Sequence, residues 1–86
     1  MDPHAIIKYP SSTEKSIRLM ESENKLVFVV DKKAKKAEIK KAIEEIFKVN
    51  VKTVNTFITP GGEKRAYVKF SMETPAVDIA TQLGLI

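Results

Sequence analysis

Between Ile39 and Phe70 the hydrophobic period of this chain switches once, from that of a helix to that of a strand, and the chain then reverses at once. Ile39, Ala42, Ile43, Ile46 and Phe47 recur at spacings of three and four, so they share one helical face, while Lys40, Lys41, Glu44, Glu45 and Lys48 fill the other. From Val54 the period is two: Val54, Thr56 and Ile58 on one side, Asn55, Phe57 and Thr59 on the other. Thr59-Pro60-Gly61-Gly62-Glu63 supplies a turn, since proline presets φ and glycine accepts positive φ. The returning strand alternates again, with Ala66, Val68 and Phe70 towards the helix and Arg65, Tyr67 and Lys69 away from it.

The remaining elements are added around this unit. Ile6-Ile7-Lys8-Tyr9, closed by Pro10, reads as a brief edge strand. Ser11-Ser12-Thr13-Glu14 has the form of a capping box, with a helix from about Ser12 to Ser22 whose apolar contacts are Ile17 and Met20. Lys25 to Val30 is a strand apolar on both sides, as expected for a central position. At the far end Thr74 reads as a cap, Pro75 as the first helical residue and Gly84 as the stop, with Ala76, Ile79, Ala80 and Leu83 as the buried stripe. The expected fold is α/β (α+β): a two-layer domain over residues 1–86, with a largely antiparallel sheet of three to four strands and helices on one face, in the order (β)-α-β-α-β-β-α. The opposite face stays open and is expected to carry Val27, Val29, Asn55, Phe57, Tyr67 and Lys69.

Eighty-six residues suffice for one two-layer core. The chain has no cysteine, which excludes disulfides and thiolate metal sites. Its longest apolar run, Leu26 to Val30, is five residues, against about 20 for a membrane helix. No signal pattern opens the chain, and a soluble protein of the cytoplasm is expected. The net charge of +4 and the isoelectric point near 9.4 suit a polyanionic partner. Distribution says more than the total: lysines crowd between Lys32 and Lys52, whereas the last sixteen residues carry only Glu73 and Asp78 as charges.

Catalytic chemistry finds little to stand on. His4 is the only histidine, in a terminus expected to be mobile, and has no cysteine to pair with. Glu44 and Glu45 are adjacent on a helix and are read as ion-pair partners of nearby lysines, not as a catalytic dyad. Gly61-Gly62 precedes no helix and no phosphate-loop lysine, so it is a hairpin turn. We therefore assign no catalytic residue, metal ligand, cofactor or small-molecule substrate. An acylphosphatase-like enzyme would need an arginine and an asparagine around a phosphate, for which Arg18, Arg65 and Asn55 are the candidates. Nucleic-acid binding fits better. Lysines such as Lys32, Lys33, Lys35 and Lys36 can neutralise phosphates, and Phe57 and Tyr67 on an open sheet face could stack unpaired bases, each stack contributing roughly 1–3 kcal/mol. Lys64 to Phe70 partly matches the end of an RNA-recognition-motif signature without its glycine, which keeps a single-stranded RNA binder as the alternative.

Nearly the whole chain resembles the universal large-subunit ribosomal protein family twenty-three, in its short archaeal form. The residues that carry the resemblance are Lys8-Tyr9-Pro10, Thr13-Glu14-Lys15, Asn24-Lys25-Leu26, Ala42 to Phe47 with Val49, Val51 and Val54-Asn55-Thr56, and Gly62 to Lys69. The resemblance implies binding to large-subunit ribosomal RNA beside the mouth of the nascent-peptide tunnel, among neighbouring large-subunit ribosomal proteins. It further implies a docking surface for nascent-chain factors such as the signal recognition particle. By matching position, its RNA contacts fall on Lys8, Thr13, Lys15, Asn55, Thr56, Lys64, Arg65, Tyr67 and Lys69, and its factor contacts on Glu14 and Phe47. The chain departs from the family in two places: the hairpin at Pro60 to Glu63 lacks the long basic loop of bacterial relatives, and Lys35 replaces the usual hydroxyl cap.

Overall fold

The computed structural model describes residues 3–84. The elements run α1 (Pro3–Ile6), β1 (Ile7–Pro10), α2 (Glu14–Glu23), β2 (Lys25–Val30), α3 (Lys36–Phe47), β3 (Val51–Ile58), β4 (Lys64–Phe70) and α4 (Ala76–Gln82). The sheet order is β1-β2-β4-β3 and every pairing is antiparallel, so the expected class holds and the sheet has four strands. β2 lies inside the sheet, as its two apolar sides require.

The register fixes the two faces. Leu26, Phe28 and Val30 of β2, Val54 of β3, and Ala66, Val68 and Phe70 of β4 join Ile39, Ala42 and Ile43 of α3, Met20 of α2, and Ile79 and Ala80 of α4 in one core. Phe28 and Phe70 are its largest fully buried side chains. Phe47 packs against this core from the end of α3, its ring centroid 6.3 Å from that of Phe28.

Five local expectations are corrected. The box that opens the first long helix joins Thr13 and Ser16, not Ser11 and Glu14: Thr13 Oγ1 accepts the Ser16 N–H at 3.2 Å, and Ser16 Oγ accepts the Thr13 N–H at 2.8 Å. Ser11 cannot complete a reciprocal box with Glu14 because its N–H donates to the Val27 carbonyl at 2.8 Å, prolonging the strand ladder. Ser16 is buried in consequence, its single proton shared between the carbonyls of Ser11 and Thr13, while Ile17 is exposed. At the last helix the N-cap is Pro75, not Thr74, and the free Ala76 N–H is taken by Asn24 Oδ1 at 2.6 Å. The segment around His4 is helical and packs on α3. Finally, β3 begins at Val51, because a bulge between Val51 and Thr53 lets Val51 and Val54 both reach the core despite their odd spacing.

Candidate nucleic-acid interface

The face of the sheet that carries no helix is ordered in three cross-strand rows. Lys25, Lys69 and Thr53 form the first, Val27, Tyr67 and Asn55 the second, and Tyr9, Val29, Arg65 and Phe57 the third. All of the residues expected on this face are there. Val27 and Val29 are 5% and 3% exposed although they lie outside the core cluster, because long side chains from neighbouring strands flank them. Phe57 and Tyr67 meet edge to face, with centroids 5.0 Å apart and planes at 68°. That geometry suits the ring quadrupoles, and it leaves Phe57 39% exposed.

Tyr9 and Glu63 complete the third row. The Tyr9 hydroxyl donates to Glu63 Oε2 at 2.8 Å, and Arg65 Nε donates to Glu63 Oε1 at 2.9 Å. The bond from Tyr9 is the main influence holding the Glu63 carboxyl below its ordinary value, with Arg65 adding to it; the same bond raises the Tyr9 phenol. The alternation of Arg65, Tyr67 and Lys69, carried back two residues, puts Glu63 on this face, but pattern does not put Tyr9 there. The register shifts at Lys8, so Ile7 pairs with Val30 on the core side whereas Tyr9 pairs with Val29 on the open side, and simple alternation cannot show that.

The candidate RNA contacts divide into groups. Asn55, Arg65, Tyr67 and Lys69 share the open face. Thr56 and Lys64 project from the helix-bearing side, and Lys64 Nζ donates to the Ala34 carbonyl at 2.6 Å. That bond ties the connection before α3 to the hairpin. A side chain added at Gly62 would stand 3.3 Å from Lys32 Nζ, which brings Lys32 to the same end of the sheet. Lys33, Lys35 and Lys36 are exposed around the start of α3. Lys35 is the N-cap and its ammonium can accept no bond; only its own N–H is satisfied, by Glu38 Oε1 at 3.0 Å. Lys8 is exposed at the bulge of β1, and Thr13 and Lys15 at the start of α2.

The two candidate factor contacts lie on different helices. Glu14 opens α2, its side chain 83% exposed and paired with Arg18 at 2.9 Å. Phe47 ends α3, half-buried. Glu44, expected to pair with lysines, accepts the Val51 N–H at 3.2 Å. Among the described residues no cluster of three or more His, Asp or Glu could hold a metal ion, and no helix is long and apolar enough to cross a membrane.

Residues 5–80 match the ribosomal protein L23 family. The chain belongs to that family. It is also 49% identical over 85 residues to the large ribosomal subunit protein uL23 of Methanococcus aeolicus, a match that covers 99% of each chain. The open face of this L23 family member gathers cations, an amide and aromatic rings on strands rather than on loops.

Proposed function

We propose that the chain acts as one domain of the large ribosomal subunit, binding its ribosomal RNA through the open sheet face and performing no catalysis. The observation that carries this reading is the alignment of Lys25, Lys69 and Arg65 with Tyr67, Asn55 and Phe57 on one face. Cations in that arrangement neutralise phosphates, while amide and aromatic edges recognise the shape and the bases of a folded RNA. The lysines from Lys32 to Lys36 extend the positive surface around the sheet end, and Lys8, Thr13 and Lys15 extend it along the other edge. The name of the Methanococcus relative supports assignment to the large subunit. On this reading the protein works in the cytoplasm, beside neighbouring large-subunit proteins at the tunnel mouth. It presents Glu14 and Phe47 to nascent-chain factors such as the signal recognition particle.

The test is co-sedimentation of tagged protein with large subunits. Stable association that Arg65→Ala and Lys69→Ala weaken supports the reading. Recovery with free single-stranded RNA instead, abolished by Tyr67→Leu, would mark a recognition-motif-like binder and overturn it.

A further inference from the structure

Apart from Glu23, which pairs with Lys25 at 3.2 Å, Glu63 is the acid that meets a cation of this face among the described residues. Its carboxylate borders the row that contains Arg65, where a negative charge opposes phosphate binding unless it serves another group. Its backbone is pinned: the Glu63 N–H donates to Thr59 Oγ1 at 3.2 Å, and its carbonyl accepts the Thr59 N–H at 2.8 Å. Each carboxylate oxygen then takes one donor, Tyr9 on Oε2 and Arg65 on Oε1. The bond to Arg65 uses Nε and leaves the two terminal amino groups of the guanidinium outside the contact. Beside the arginine in the register lie buried Val29 and the partly exposed Phe57.

We propose that Glu63, braced by Tyr9, is a positioning residue that presets the Arg65 guanidinium as a fork for an RNA phosphate. The proposal rests on the reading of the open face as the RNA contact. An unbraced arginine loses rotamer freedom when it binds, and one that is already held loses less. The Tyr9 bond first, and Arg65 second, hold the Glu63 carboxyl below its ordinary value, so the brace stays charged throughout the neutral range.

The sign of a mutation separates this role from that of a stray acid. Affinity and its salt dependence would be measured against in-vitro transcribed large-subunit ribosomal RNA of Methanococcus aeolicus. Glu63→Ala deletes a negative charge, so a merely electrostatic role predicts tighter binding. Positioning predicts weaker binding, by about two- to tenfold, the range that ordering one long side chain costs. In an Arg65→Ala background the same change strengthens binding, because only the repulsion remains to be removed. Tyr9→Phe removes half of the brace with no change of charge and little risk to the fold. It weakens binding in the natural background and leaves it unchanged beside Arg65→Ala. Unchanged or tighter binding by Glu63→Ala overturns the proposal, as does equal weakening in both backgrounds. If Arg65→Ala alters neither affinity nor salt slope, the RNA reading of the open face fails as well.

Discussion

Asn24 bears more of the tertiary structure than its place in a polar turn suggests. It takes the left-handed conformation, φ 56°, at the end of α2, a geometry that asparagine tolerates better than most residues. From there its amide nitrogen shares its protons among the carbonyls of Phe70, Ser71 and Thr74 at 3.0–3.2 Å, and its oxygen caps Ala76. One side chain thus joins α2, the end of β4 and the start of α4. Asn24→Ala should destabilise the protein by roughly 2–4 kcal/mol, from missing hydrogen bonds plus backbone strain. Asn24→Gly, which accepts positive φ, should recover about 1 kcal/mol of that in denaturant titrations. These partners lie 46–52 residues away in sequence, so local pattern could identify the turn but not its reach. The Tyr9–Glu63 bond yields a pH prediction. Glu63 is lowered from 4.5 in the folded protein, so its contribution is present above that value and fades as pH falls through the folded one. Tyr9 is raised from 10.0, so its contribution is complete below 10 and fades above it. The difference in thermal midpoint between the natural protein and Tyr9→Phe should therefore be flat near neutrality and shrink at both extremes. A difference that persists undiminished in acid would contradict the bond.

At the scale of elements, the sheet faces are legible in the sequence and the element ends are not. Period-two alternation in β2, β3 and β4 places the open-face residues correctly, because a half-buried strand permits only one parity. Two bulges break the rule, at Lys8 and at Lys52, and they conceal Tyr9 and the start of β3. Helix ends are equally opaque: α3 starts at a lysine without a side-chain cap and stops at Lys48, whose φ of 56° would ordinarily favour glycine. Lys48→Gly should consequently stabilise the fold by about 1 kcal/mol, measured by chemical unfolding. The stripe Ile39–Phe47 is readable, yet whether its last member is core or anchor is not, since the period continues through it unchanged. Half-burial beside Phe28 leaves Phe47 partly in the core and partly at the surface. Phe47→Ala should cost less than the 3–5 kcal/mol of a fully buried ring, about 2 kcal/mol. Glu14→Ala, which breaks only an exposed pair, should cost under about 1 kcal/mol. Binding of the signal recognition particle to ribosomes carrying these variants then reads docking separately from folding. Destabilisation with unaltered factor binding would leave both residues as parts of the fold alone.

For the whole molecule, the sheet separates two kinds of lysine and arginine that look alike in Lys64-Arg65-Ala66-Tyr67-Val68-Lys69. Arg65 and Lys69 lie on the open face, whereas Lys64 turns to the helix layer and closes the connection before α3 through the Ala34 carbonyl. A resemblance carried over position by position cannot make that distinction, because a family contact names a residue and not the direction of its side chain. The two faces predict two responses to mutation. Removing one phosphate-binding cation should reduce the slope of log affinity against log salt by roughly 0.7–0.9, so Arg65→Ala and Lys69→Ala together should reduce it by about 1.6. Lys64→Ala should leave that slope unchanged and instead lower stability, since the Ala34 carbonyl is deprived of a charged donor worth about 1.5–3 kcal/mol where the bond is part-buried. Titrations against large-subunit ribosomal RNA at several salt concentrations, beside denaturant unfolding of the same variants, measure both. A slope that falls with Lys64 and not with Arg65 or Lys69 would move the RNA from the open face to the hairpin end of the helix layer, where Lys32 lies beside Gly62.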